Sequence, residues 1–274
     1  MTDPNTVREE VRSTYGKIAL NQQTGCAKAE PSACCAADRP SATAADKLGY
    51  SADEIAALPE GADLGLGCGN PQAIASLKPG ETVLDLGSGA GCDCFLAARS
   101  VGPTGRVVGV DMTAEMITKA RANAAQAGVG NVEFRLGEIE SLPVADHSVD
   151  VIISNCVINL SPDKPRVLHE AFRALKPGGR VAVADIVRSA ELPPELAADL
   201  AAHCGCVAGA ASVDELEAML REAGFTDIRI RPKDGSREFI RSWIPGRNAG
   251  DYVVSATIEA VKPVGACCAP TCCQ

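Results

Sequence analysis

The chain has 274 residues, enough for one large domain or two small ones, and 46% are hydrophobic, enough for a sizeable core. Aromatics are only 3%, so alanine, valine and leucine must fill that core. A formal net charge of −9 argues against a general nucleic-acid binder, and no apolar run is long enough to span a membrane.

Thirteen cysteines stand out in this composition. The N-terminus, Met1 to Glu10, is charged and lacks a signal-peptide core, so the expected compartment is the cytosol. In a cytosolic enzyme of this length, cysteines point to metal binding or thiol chemistry rather than to a disulfide scaffold.

Residues 5–23 carry Val7, Val11, Tyr15, Ile18 and Leu20 on roughly one face of a helix. Gly25, Pro31 and Pro40 break that pattern, and residues 24–47, with Cys26, Cys34 and Cys35, read as a mobile loop. Ser51 and Glu54 form a capping box opening a short helix. Three glycines in Gly65–Gly69 rule out regular structure and present Cys68 on a tight turn.

The stretch Val83-Leu-Asp-Leu-Gly-Ser-Gly-Ala-Gly91 then reads as a buried strand running into a glycine turn, with a helix beginning at Phe95. Gly87, Gly89 and Gly91 let the backbone turn sharply and approach a ligand closely. Val107–Val110 is a second strand closed by Asp111, which stands 20 residues beyond Gly91 and is placed to accept from ribose hydroxyls. Its alternative is a helix cap before Thr113. The dinucleotide pattern G-x-G-x-x-G fails, because Cys92 occupies its last glycine position.

Residues 71–187 alternate strand and helix, which predicts a parallel sheet. A helix capped by Thr113 runs to about Gly128, and strands follow at Asn131–Leu136, Asp150–Asn155 and Arg180–Asp185. Between the last two, a helix from Pro165 to Lys176 is stopped by a structural turn at Pro177-Gly-Gly179. Pro193-Pro194 starts a small cap over residues 191–209, ending in His203-Cys-Gly-Cys-Val-Ala-Gly209. Ser212 caps a helix to Glu222, Gly224 ends it, and Asp227–Arg231 with Tyr252–Val261 form a closing antiparallel hairpin. The tail, Cys267 to Cys273, is too short and polar to pack.

Asp85 before the glycine loop, the G-x-G-x-G spacing and Leu175-Lys-Pro-Gly-Gly179 resemble the class I methyltransferases, which bind S-adenosylmethionine. The resemblance implies an α/β fold: a Rossmann-like sheet with helices on both faces, an N-terminal helix and loop segment, and a small C-terminal cap. The long run Ser154-Asn-Cys-Val-Ile-Asn-Leu-Ser-Pro-Asp-Lys164 is similar to the signature of the arsenite methyltransferases. Gly67-Cys-Gly69, Val110-Asp-Met-Thr113 and Gly205-Cys-Val-Ala-Gly-Ala210 fall where that family has further motifs. Leu66 stands for its tyrosine, and His203-Cys204-Gly205 replaces a tryptophan-containing run. The domains expected are 1–70, helix and cysteine-bearing loop; 71–187, cofactor domain; 188–264, arsenic-site cap and closing hairpin; and 265–274, cysteine-rich tail.

By this resemblance Cys68, Cys156 and Cys206 bind trivalent arsenic, and Cys34 or Cys35 is the fourth functional cysteine. The cofactor residues it implies are Asp85, Gly87, Gly89, Gly91, Asp111 and Met112, with Glu138 and Ile139 on the adenine side and Asn155 ending the fourth strand. It also implies a thiol reductant, glutathione or thioredoxin. The chemistry is coherent. Trivalent arsenic is soft, suits thiolates, takes three of them in a pyramid and keeps a proton-free lone pair. That lone pair needs no general base, so catalysis reduces to positioning. A disulfide of Cys68 with Cys34 or Cys35 would return the two electrons each transfer consumes.

Other readings stand beside this one. Cys94 reads as a small packed side chain, Cys92 is open between packing and function, and Cys204 reads as a bystander. His203, Cys204 and Cys206 with Cys68 could instead bind zinc. His147 and His169 read as surface residues, and Glu138 has an ordinary loop charge as its alternative. Two other functions remain: methylation of a different small molecule, or metalloid sequestration without turnover.

Overall fold

The structure is a computed structural model, and it describes residues 3–20, 48–241, 243–244 and 246–264. Cys26, Cys34, Cys35 and the four tail cysteines lie outside the described residues, as does the loop reading of residues 24–47.

Among the described residues seven strands form one sheet: β1 Thr82–Leu86, β2 Arg106–Asp111, β3 Val132–Leu136, β4 Val149–Asn155, β5 Leu175–Arg188, β6 Thr226–Pro232 and β7 Val253–Val261. Their order is β3-β2-β1-β4-β5-β7-β6. β7 runs antiparallel to both β5 and β6, and the other neighbours are parallel. The central strands are apolar almost throughout because helices cover both faces. On one face Leu84, Leu86, Val108 and Ile152 pack on Val167 and Leu168 of α6 (Lys164–Ala174) and Leu216 and Leu220 of α9 (Val213–Glu222). On the other, Val83, Val107, Val151 and Ile153 pack on α4 (Cys92–Val101) and α5 (Ala114–Ala127). Each fully buried valine or leucine contributes about 1.5–3 kcal/mol. The strand order reverses between β1 and β4, and a ligand crevice opens at the carboxyl ends of strands at such a point.

Of the remaining helices, α1 and α8 contribute residues to that crevice. α1 (Pro4–Ala19) is capped by Asp3, and α2 (Ala52–Ala56) carries the expected Ser51–Glu54 capping box. α3 (Gln72–Ala75), α7 (Pro194–Ala197), α8 (Leu200–Cys204) and α10 (Ser236–Arg241) are short. Val7 and Val11 of α1 share an apolar cluster with Cys68, Cys156, Cys206 and Trp243. The Ser212–Glu215 capping box opens α9, and Gly224 at φ +101° follows its end.

Several boundaries differ from the sequence reading. α1 ends at Ala19, where Leu20 caps it, and not at 23. The turn at Pro177-Gly-Gly179 is strand: β5 starts at Leu175 and continues to Arg188. A register shift against β4 accompanies it: Leu175 pairs with Val149 and Arg180 with Val151, so residues 176–179 bulge between them, and Gly178 and Gly179 bond Lys262 instead. The cap holds two short helices, because Asp199 accepts from Ala201 and Ala202 N–H and so starts α8 afresh. No helix among the described residues is long and apolar enough to cross a membrane.

Candidate active site: a glycine-loop cavity walled by cysteines

The glycine loop joins β1 to α4. Gly87 and Gly91 have φ of +70° and +100°, and a Cβ there would lie 2.4 Å from Val157 and 2.7 Å from Phe95. A Cβ at Gly89, φ +52°, would meet nothing within 4 Å, because that residue faces the cavity. Asp111 holds the loop from β2: its Oδ2 accepts from Gly89 N–H at 3.0 Å and its Oδ1 from Thr113 N–H at 2.8 Å. It therefore caps the start of α5 and lines the cavity at once. Burial raises its pKa, and those two backbone donors oppose the rise. Asp85, 2% exposed, lies beneath. Burial and then Asp93 push its pKa well up, and the Cys94 thiol donates to its Oδ2 at 3.2 Å.

Three polar atoms of the cavity lining are buried without a hydrogen-bond partner: Ser88 Oγ in the loop, Asp63 Oδ2 and Arg8 Nε. Buried polar groups are paired as a rule, so such orphans mark where a polar ligand belongs. With an open Gly89 and a carboxylate on the ribose side, they fit S-adenosylmethionine. Met112, Ile139 and Cys92 also line this space. Burial, then Asp93, holds the Cys92 thiol well above its ordinary pKa, so it stays protonated.

Glu138 lies elsewhere. Its carboxylate is 3.1 Å from Arg12 Nη2 and 3.8 Å from Arg8 Nε, outside the cavity lining. Glu140, two residues on, takes the inward position: it is 6% exposed and accepts from Ser161 Oγ at 2.7 Å and Arg8 Nη2 at 3.3 Å. Both glutamates thus meet arginines of α1, Glu138 at the surface and Glu140 in the interior. Through Arg8, Val11, Thr14, Tyr15 and Ile18, α1 forms one side of the cavity, and Tyr15 Oη donates to Cys204 O at 3.1 Å.

Cys156, Cys204 and Cys206 line another part of the cavity, and Cys68 lies against Cys156. Cys68 sits on its turn, with Gly65 and Gly67 at φ +67° and +124°. Cys156 follows β4, and Cys206 follows α8. The structure brings the sulfurs of Cys68 and Cys156 together as a disulfide, with Cα atoms 5.7 Å apart, inside the span such a bond requires. The pairing of Cys68 with Cys34 or Cys35 read from the sequence involves residues outside the described ones. Cys206 Sγ donates to the carbonyl of Cys156 at 3.0 Å. Cys156 and Cys206 both have left-handed backbones, φ +60° and +61°. For a side chain with a Cβ such a conformation costs about 1–3 kcal/mol and persists only where its surroundings enforce it.

Asn155 joins the two walls. Its Oδ1 accepts from Cys68 N–H at 3.0 Å, and its Nδ2 donates to Gly69 O at 2.8 Å, so one amide clasps the turn from both sides. Nδ2 is also 3.2 Å from Asp93 Oδ2, and Tyr50 Oη donates to Asp93 Oδ1 at 2.8 Å. Burial raises the pKa of Asp93, and the Tyr50 and Asn155 bonds oppose that rise. Asp93 lines the cavity from the first turn of α4.

The histidine of the zinc alternative is spent elsewhere. His203 Nε2 lies 3.0 Å from Leu160 O, and burial lowers its pKa, which assigns a neutral ring donating from Nε2. Among the described residues, the group whose ligand atoms lie within 4.8 Å of one another is Cys68, Cys156 and Asp185. Cys94, fully buried, packs as expected, and Cys204 lines the cavity. Sequence reasoning missed Arg8, Tyr50, Ser88, Asp93, Glu140 and Asp185. Only Asp185 carried a signal, a carboxylate inside the apolar run of β5.

Residues 77–224 match a family model described as a methyltransferase domain. The chain is 56% identical over 266 residues to an arsenite methyltransferase of Halobacterium salinarum, covering 95% of this chain and 68% of that protein. It is 42% identical over 231 residues to an arsenite methyltransferase of Aquipseudomonas alcaligenes, covering 82% and 63%. The chain thus spans about two thirds of the length of these curated relatives. Among solved structures, an arsenic(III) S-adenosylmethionine methyltransferase from Chlamydomonas reinhardtii superposes with a TM-score of 0.62 at 33% identity, covering 84% of this chain and 76% of that one. By fold, family model and identity, the chain belongs to the arsenite methyltransferase family.

Proposed function

We propose that this protein transfers a methyl group from S-adenosylmethionine to trivalent arsenic held by Cys68, Cys156 and Cys206, first on arsenite and then on methylarsenite. The observation that carries this reading is the convergence of three cysteines from separate segments: Cys156 and Cys206 line the cavity, and the Cys68 sulfur meets that of Cys156. The cofactor, when bound, supplies an electrophilic methyl group on a sulfonium. Asp111 would hold its ribose and the Gly87–Gly91 backbone would approach it, while Ser88 and Asp63 offer it polar atoms without a hydrogen-bond partner.

The chain's work is then to position and to exclude water. Three thiolates fix the arsenic and leave its lone pair as the nucleophile. That pair carries no proton, so the site needs no general base. Asn155 holds the Cys68 turn, and α1 shields the cavity through Val11, Tyr15 and Ile18. Transfer leaves arsenic formally pentavalent, and two electrons must return it to the trivalent state. The Cys68–Cys156 dithiol is one source of those electrons, and thiol exchange with glutathione or thioredoxin would restore it. Cys34 or Cys35 would serve as a relay, and the compartment must be reducing, as the cytosol is.

The test incubates the purified protein with arsenite, labelled S-adenosylmethionine and a thiol, and separates the arsenic species. Labelled methylated arsenic is the expected product. Tight arsenite binding without product would mean sequestration. Absence of both would remove arsenic as the substrate.

A further inference from the structure

Asp185 has no task in the reaction above, yet it is buried within an apolar strand, 2% exposed. Its Oδ1 accepts from Asn159 Nδ2 at 2.9 Å and Ile186 N–H at 2.7 Å, and its Oδ2 accepts from Ile158 N–H at 3.0 Å. A carboxylate offers about four lone-pair positions, so one on Oδ2 is left over. The three bonds fix its orientation, as hydrogen bonds to a ligating carboxylate do in metal sites. A carboxylate oxygen of Asp185 and the sulfurs of Cys68 and Cys156 lie within 4.8 Å of one another, and all three residues are buried.

We propose that, once the Cys68–Cys156 disulfide is reduced, Cys68, Cys156 and Asp185 form a binding site for a thiophilic divalent cation, of the class of zinc and cadmium, which competes with trivalent arsenic for the two thiolates. The steps balance. A phosphine or dithiol reductant breaks the S–S bond, is itself oxidised, and leaves two thiols. The cation displaces their two protons to solvent and is held by two thiolates and one carboxylate. Two sulfurs and one oxygen with a fourth position open to water is a ligand set that zinc accepts. The thiolates disfavour magnesium and calcium, which prefer oxygen.

The third donor sorts the occupants. Trivalent arsenic forms a three-sulfur pyramid, and Cys206 supplies its third sulfur. A divalent ion seeks more ligands and tolerates oxygen, and Asp185 supplies it. His203 does not enter, because its Nε2 is held by Leu160 O. The inference stands apart from the proposed reaction, since it requires neither arsenic nor cofactor.

The experiment uses full-length reduced protein in which the seven cysteines outside the described residues (26, 34, 35, 267, 268, 272 and 273) are serine. It is titrated with cobalt(II) as a spectroscopic stand-in for zinc, then with cadmium for 113Cd NMR. The expected result is one equivalent of cobalt with a sulfur-to-metal charge-transfer band, and a cadmium resonance in the mixed sulfur–oxygen range. Asp185→Asn should weaken cobalt binding by more than about tenfold, the smaller loss seen when only an outer partner of a ligand is removed. In the unsubstituted protein, which keeps Cys34 and Cys35, zinc should raise the apparent KM for arsenite without lowering the saturated rate. No charge-transfer band, a cadmium shift typical of three sulfurs, or unchanged affinity in Asp185→Asn overturns the proposal. Should Asp185→Asn fail to fold by circular dichroism, the cadmium shift of the parent protein decides alone.

Discussion

The two walls of the cavity are built in opposite ways. The glycine wall comes from one stretch, Asp85 to Asp93, plus one aspartate at the end of the next strand, and backbone N–H groups set its geometry. The cysteine wall is gathered from a turn before the sheet, the end of β4 and the cap, and side-chain bonds such as those of Asn155 hold it. A wall made of backbone tolerates loss of a side chain with its shape intact. A wall made of distant side chains loses both its chemistry and its register.

That contrast can be broken most severely at Cys156. Cys156→Ser should abolish methylation of arsenite and of methylarsenite, a loss of about a hundredfold or more, as expected when a ligand of the reacting atom is removed. Cys68→Ser should lose arsenite methylation but keep methylarsenite methylation, because one position on the methylated arsenic is already carbon. Product speciation for each variant on each substrate checks both, and equal loss in Cys68→Ser would return Cys68 to every step.

Asp111→Ala tests the glycine wall. The lost charged hydrogen bonds amount to about 1.5–3 kcal/mol, so S-adenosylmethionine affinity should fall about tenfold or more by calorimetry. Arsenite affinity should not move.

Asn155→Ala sharpens the comparison from the other side. It strands the Cys68 N–H and the Gly69 carbonyl, at a cost of about 1–3 kcal/mol. The KM for arsenite should rise several-fold while cofactor affinity holds; a fall in cofactor affinity alone would make Asn155 a cofactor contact.

A further test concerns pH. Burial pushes the pKa of Asp185 up to about 6 from an ordinary 3.8. A raised carboxylate favours the folded state fully below about 3.8, and that contribution is lost as pH rises through about 6. Urea midpoints of the parent protein should therefore fall relative to those of Asp185→Asn between pH 4 and 6, then run parallel. Curves parallel throughout would place Asp185 at its ordinary pKa.

The same contrast governs what was legible in the sequence. Strand, glycine turn and acidic strand end are contiguous, so spacing alone located Gly87, Gly89, Gly91 and Asp111. The capping box at Ser51 and the helix cap at Ser212 were readable for the same reason. The closing strands were found, but the strand character of Pro177–Gly179 was not, since it rests on a bulge against β4 and on bonds to Lys262. Cys68, Cys156 and Cys206 were assigned by family resemblance, because no local pattern says that residues 88 apart in sequence meet. Arg8 to Glu140 and Tyr50 to Asp93 are long-range partners that single-sequence periodicity does not encode.

Ser255 Oγ, in β7, donates to the carbonyl of Cys68 at 2.7 Å across 187 residues of sequence. β7 also pairs Ser255 with Ile186 and Ala256 with Asp185. During synthesis the glycine loop and the cysteines at 68, 156 and 206 therefore leave the ribosome before the strand that seats them. A nascent chain shorter than about 255 residues holds these thiols without their frame, and domains complete only once their last element emerges. The window in which the thiols can capture a metalloid out of register is thus the time taken to make and insert β7, and an arrested chain would remain in it.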